Sequence, residues 1–239
     1  MNRTRKGLAS GLILETIFPG RCLVCGEWLL GRSDDSIPVC IECRSKIQPD
    51  TSAVTCRLCG TRLISEQGIC RRCRESDFAF DTNTALFPYV GIIKELFQQL
   101  KFSGRVRLAP LFAHWAAAAL AASHPGLSVI PVPTRPGRKS PQTVELIARR
   151  MEKLHGVDVR RILERAPGAQ QKTLDFNQRK ENLKGKILLT RGAHAAEGSN
   201  EVVLLDDVFT TGATLDACAR VLREAGYQRI YGMTLVIEE

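Results

Sequence analysis

The sequence predicts an α/β protein, a parallel sheet flanked by helices, preceded by a small cysteine-rich zinc-binding domain. Three observations predict it. Eight of the nine cysteines lie between Cys22 and Cys73, as four C-x2-C pairs. From Ala85 onward helical and strand patterns alternate, as they do when parallel strands are joined by crossover helices. Late in the chain an apolar strand ends in Asp206-Asp207, and a Thr/Gly loop then opens a helix. The 239 residues, 44% hydrophobic and 25% charged, suit a globular chain with a sizeable core.

The composition shift sets the expected boundary, with residues 1–78 as the cysteine-rich domain and 79–239 as the α/β domain. The N-terminal apolar run is interrupted by Glu15, and no small-residue cleavage site follows, so no signal peptide is expected. The most apolar stretch, Leu108 to Ala122, contains Pro110 and His114 and falls short of the roughly 20 residues that cross a bilayer. No membrane insertion and a cytoplasmic location are therefore expected. In that compartment clustered thiols bind metal more often than they form disulfides.

Cys22, Cys25, Cys40 and Cys43 form the first cluster, and Cys56, Cys59, Cys70 and Cys73 the second. A C-x2-C turn brings two thiolates to one ion, and two such turns complete a tetrahedron around zinc. Gly26 and Gly60 each follow a turn, where a tight backbone needs glycine. Two zinc ions are expected. Sequential pairing is favoured because each glycine-marked turn is followed closely by another turn; interleaved pairing is the alternative.

Through the α/β part the sequence predicts helices at Ile92–Lys101 and Leu108–Ala122, then a strand at Ser128–Val132. Helix Gln142–His155 follows, with Val144, Ile147, Ala148 and Met151 on one face and Gly156 as C-cap. Ala166–Thr173 reads as a loop, and Asp175 with Gln178 has capping-box spacing for a helix to Leu183. The last elements are strands Ile187–Thr190 and Glu201–Leu205, helix Leu215–Ala225 and strand Ile230–Ile237. Cys218 falls inside that last helix as a small buried residue.

The segment Asp206-Asp207-Val-Phe-Thr210-Thr211-Gly212-Ala213-Thr214 carries the clearest chemistry. A Thr/Gly loop entering a helix directs N–H groups and hydroxyls at a phosphate, aided by the helix dipole. The carboxylates cannot favour that phosphate, so they should address hydroxyls or a metal beside it. Charge adds a second feature: residues 135–191 hold 15 Lys/Arg against 6 Asp/Glu, equal to the +9 of the whole chain. Such a field suits a phosphorylated or polyanionic ligand.

The Asp206–Thr214 run closely resembles the ribose-phosphate loop of type I phosphoribosyltransferases. That resemblance implies a phosphoribosyltransferase-like parallel sheet, Asp206 and Asp207 on ribose hydroxyls, and Thr210, Thr211, Gly212, Ala213 and Thr214 around the 5′-phosphate of phosphoribosyl pyrophosphate carrying Mg²⁺. Further motifs occur in one order: Phe18-Pro-Gly-Arg-Cys22, Leu100-Lys101-Phe102-Ser103-Gly104, Ile130-Pro-Val-Pro133, and Gln171-Lys-Thr-Leu174 with Arg179, Asn182, Leu183 and Gly185. This order resembles the ComF family of competence and DNA-uptake proteins, which implies single-stranded DNA and the uptake machinery as partners. The chain departs from the family after Pro133, where it reads Thr134-Arg-Pro-Gly-Arg-Lys139. Arg135, Arg138 and Lys139 are the candidates there for pyrophosphate or DNA phosphates. The residues name no acceptor and no general base, so an active transferase and a metabolite-sensing regulator stand beside the DNA-handling role.

Overall fold

A computed structural model describes residues 20–29, 37–49, 53–134, 142–166, 186–192 and 200–238. Contacts divide the chain into two compact units, Met1–Gln48 and Pro49–Glu239. Compactness thus divides the chain earlier than composition, which suggested residue 78. The second cysteine cluster is the reason, because its four thiols share a core with the α/β elements.

In the first unit, a knuckle at Cys22–Gly26 is closed by Gly26 N–H donating to Cys22 O (3.0 Å) and Cys22 N–H donating to Glu27 O (2.8 Å). Helix α1 (Ile41–Lys46) begins directly after Cys40. The second unit opens with the same pattern. Gly60 N–H donates to Cys56 O, Cys56 N–H donates to Thr61 O, both at 2.8 Å, and α2 (Arg71–Arg74) begins after Cys70. Arg44 and Arg74 even make equivalent bonds to Val39 O and Ile69 O. The two ribbons are structural repeats.

The α/β elements follow as β1 (Thr82–Pro88), α3 (Gly91–Phe102), α4 (Ala109–Ser123), β2 (Val129–Pro131) and α5 (Thr143–His155). Next come β3 (Leu163–Arg165), β4 (Ile187–Leu189), β5 (Glu201–Phe209), α6 (Ala213–Glu224) and β6 (Arg229–Ile237). Strands β1, β6, β5 and β2 form one sheet in that order, and every pairing in it is parallel. The expected class, a parallel sheet flanked by helices behind a cysteine-rich region, is the class observed.

Most predicted elements lie within two residues of their expected ends. The buried face of α5 is Val144, Ile147, Ala148 and Met151, and Gly156 closes it at φ 65°. Three differences have physical causes. β5 runs on to Phe209 because Asp206 and Val208 stay in register with Thr234 and Val236 of β6. The strand predicted at Ile187–Thr190 pairs antiparallel with β3, a three-residue partner with no periodicity to reveal it. A 3-10 turn at Val106–Leu108 precedes α4 and lengthens its helical run. Val106–Ser123 has the length and apolarity of a membrane span, with 56% of it buried inside the protein, as in a core helix. The helix expected at Asp175–Leu183, the loop of 167–173 and the motif residues Gln171 to Gly185 lie outside the described residues.

The sheet is covered on both faces. Val202 and Leu204 pack with Leu215, Cys218, Ala219 and Leu222 of α6 and with the four second-cluster cysteines. Val203 and Leu205, one step along the strand, are equally buried and face the opposite way by strand alternation. On β1, Phe87 meets Trp115 of α4, and Phe97 of α3 meets Phe112.

The second ribbon is held against β1 at close range. Asn83 Nδ2 donates to Cys59 O at 2.8 Å. Gly60, at φ +80°, has no room for a side chain, because a Cβ would lie 2.8 Å from Ala85 N and 2.9 Å from Asn83 O. Its repeat counterpart Gly26 has φ +76° but nothing within 4 Å among the described residues. Gly60→Ala is therefore expected to cost at least about 3 kcal/mol, from left-handed strain plus backbone clash. Gly26→Ala should cost about 1 kcal/mol from strain alone. Thermal unfolding of the two variants checks this, and equal shifts would refute the close packing.

Candidate metal centres and anion site

The sulfurs of Cys22, Cys25, Cys40 and Cys43 lie within 4.8 Å of one another, and so do those of Cys56, Cys59, Cys70 and Cys73. Pairing is sequential. The Cys25–Cys40 and Cys59–Cys70 sulfurs are each 3.8 Å apart. Two sulfurs held tetrahedrally at about 2.3 Å from one zinc ion are separated by about 3.8 Å, so the residues fit that metal. Backbone N–H groups support the sulfurs, with Cys40 N–H on Cys22 Sγ and Cys70 N–H on Cys56 Sγ, both at 3.3 Å.

Without a cation such a cluster cannot hold four charges. A hydrogen bond from Cys73 brings the Cys59 thiol down to about 5, while the same bond and burial push the Cys73 thiol up. A divalent ion relieves the conflict by stabilising all the thiolates, with release of their protons. The clusters differ in exposure. All four second-cluster cysteines are buried, whereas Cys25 is exposed and Cys40 half-buried.

At the sheet's carboxyl edge β5 delivers Asp206 and Asp207 side by side. Alternation sends them to opposite faces. Asp206 is buried, with Asp207 N–H donating to its Oδ1 at 2.7 Å. Burial first, and then the Asp207 charge, push its carboxyl up to about 7, against the pull of that N–H, Lys101 and Arg165. On the other side Asp207 Oδ2 meets Lys101 Nζ of α3 at 2.6 Å.

The loop continues through Thr210 and Thr211 to Gly212, the α6 N-cap at φ 76°. Ala213 N–H donates to Thr211 Oγ1 at 3.3 Å, and the first helical bond runs from Asp216 N–H to Gly212 O. Thr210, Thr211, Ala213 and Thr214 are half-buried, so the helix's first turn stays within reach of solvent, with its partial positive charge directed at the loop. Gly212 cannot be enlarged: a Cβ would lie 2.9 Å from Phe209 Cζ and 3.0 Å from Phe78 Cε1. The structure thus brings together the seven residues expected around a sugar phosphate. Arg135, Arg138 and Lys139 lie outside the described residues.

Two groups of side chains behind this site were not legible in the sequence. Lys101 reaches it from α3, although its motif offered a signal without a role. Asp216, in the first turn of α6, accepts from Ala79 N–H (2.8 Å) and Arg220 Nε (3.1 Å), while Arg223 holds Ala79 O and Asp81. Together with Phe78 stacked on Phe80, these bonds clamp the segment joining the second ribbon to β1 onto the helix that the loop begins.

Fold and clusters define the class: a double zinc-binding ribbon joined to a parallel α/β sheet. Residues 13–74 match the double zinc ribbon domain family. The chain is 27% identical over 199 residues to competence protein ComFC of Bacillus subtilis, covering 79% of each chain. It is 25% identical to ComFC of Streptococcus pneumoniae (90% of this chain, 99% of that one) and 26% identical to competence protein F of Haemophilus influenzae (91% and 96%). The chain is thus similar over most of its length to these competence proteins and carries a double zinc ribbon. Among solved structures it is similar to a hypoxanthine phosphoribosyltransferase from Staphylococcus aureus, with 13% identity and a TM-score of 0.35. That match covers 54% of this chain and spans 62% of the length of that protein.

Proposed function

We propose that this is a cytoplasmic protein of DNA uptake that handles single-stranded DNA and binds phosphoribosyl pyrophosphate at the β5–α6 loop. Thr210, Thr211, Gly212, Ala213 and Thr214 take the 5-phosphate, and Asp206 and Asp207 take the ribose hydroxyls. The observation that carries the reading is the direct run of β5, through two carboxylates and a tight glycine-capped loop, into the half-buried first turn of α6. Phosphate goes to the helix N-terminus and hydroxyls go to the carboxylates, so one ligand satisfies both halves. Mg²⁺ arrives on the ligand's phosphates, as it does where few protein carboxylates are offered.

Calorimetric titration of phosphoribosyl pyrophosphate with Mg²⁺ tests this reading. Wild type is expected to bind, and the Asp206→Asn/Asp207→Asn variant to lose binding by at least about 100-fold, for two charge-assisted acceptors removed. Absence of binding by wild type would overturn the reading. The excess charge of 135–191 supports the DNA-handling part: affinity for single-stranded DNA should then fall steeply with salt.

A further inference from the structure

We propose that Lys101 is a positioning residue of the ribose-phosphate site, orienting Asp207 so that the site selects a sugar carrying its full set of hydroxyls. The inference rests on the proposed ribose-phosphate reading and adds to it a residue from a distant helix. Lys101 lies in the last turn of α3, where a cation is favoured by the helix dipole. Its ammonium is 5.4 Å from the centre of the Phe97 ring and 6.0 Å from that of Phe102. From there it meets Asp207 Oδ2 at 2.6 Å, with side-chain exposures of 17% for the lysine and 22% for the aspartate.

That degree of burial separates this pair from an ordinary surface ion pair, which constrains little. An aspartate side chain has several rotamers, and one strong charge-assisted bond selects among them. A carboxylate has about four lone-pair positions, so the bond to lysine leaves acceptor capacity for a sugar hydroxyl while fixing where it points. The ammonium also offsets one of two adjacent negative charges. Without it an anionic sugar phosphate would meet more negative charge, since the same ammonium also acts on the Asp206 carboxyl on the other face.

The test is calorimetry on the full chain with ribose 5-phosphate and its 2-deoxy and 3-deoxy counterparts. Wild type should prefer ribose 5-phosphate over at least one counterpart by about 10-fold or more, because the deoxy sugar leaves a carboxylate unpaired. Lys101→Met should weaken ribose 5-phosphate by about 10-fold and bring the preference close to one. Lys101→Arg, which keeps the charge, should retain most of it. A purely structural role would lower the melting temperature of Lys101→Met yet leave its preference at the wild-type value, and that result overturns the proposal alone. Should wild type bind no ribose phosphate, both the proposal and the reading beneath it fall.

Discussion

Cys73→Ser is expected to collapse the cooperative unfolding of residues 49–239, while Cys25→Ser leaves that transition within about 2 °C of wild type. Each variant should lose one equivalent of zinc by atomic emission. The difference lies in what surrounds the lost ligand. Cys73 is 2% exposed and belongs to the core that also contains Leu204, Phe209, Leu215 and Leu222. Losing it would strand three buried thiols beside apolar strands and remove a metal whose binding is worth about 10–16 kcal/mol of folding free energy in isolated fingers. Asn83, whose amide bonds Cys59 O, and Gly60, pressed on β1, would then have nothing rigid to pack against. Cys25 is exposed and belongs to the other compact unit, so its loss should stay local. Equal effects of the two substitutions on the main transition would show that the second ribbon's metal does not support the α/β core.

Asp206→Asn is expected to abolish ribose-phosphate binding and yet stabilise the protein above neutral pH. The Asp206 carboxyl is pushed up to about 7 from 3.8, by burial first and then by Asp207. The folded chain thus holds this proton more tightly than the unfolded chain does. Between about pH 4 and about pH 7 the unfolded state has released it and the folded state has not, so stability falls as pH rises through this window and then levels off. Asparagine has no such dependence, and its Oδ1 can still accept from Asp207 N–H. The variant should match wild type near pH 4 and exceed it by on the order of 2–4 kcal/mol by about pH 8. Urea unfolding of both proteins from about pH 5.5 to about pH 8.5 measures the difference, in which the common pH dependence of the zinc sites cancels. A variant that is less stable than wild type at pH 8 would mean that Asp206 is ionised in the fold without cost. A carboxylate whose ionisation costs folding stability fits the proposed binding site better than a structural role.

How much of this was legible depended on distance along the chain. The cysteine turns, the apolar face of α5 and the Asp206–Thr214 run each declare themselves within a few residues, because knuckle spacing, helical period and loop chemistry are local properties. β3 did not, since a three-residue strand carries too little alternation to stand out. The residue-78 boundary followed composition, whereas compactness depends on which surfaces pack.

The sequence by itself determined two cysteine quartets, the alternating α/β order and a Thr/Gly loop opening α6. These are consequences of residue type at fixed spacing. Only the tertiary structure decided that the quartets are sequential, that the second is part of the α/β core, and that Asp216 clamps the segment from Phe78 to Phe80 onto α6. It alone placed Lys101 on Asp207. The physical reason is the same in each case: burial and ion pairing depend on which surfaces the fold presses together, and residues far apart in the chain carry no spacing signal for that.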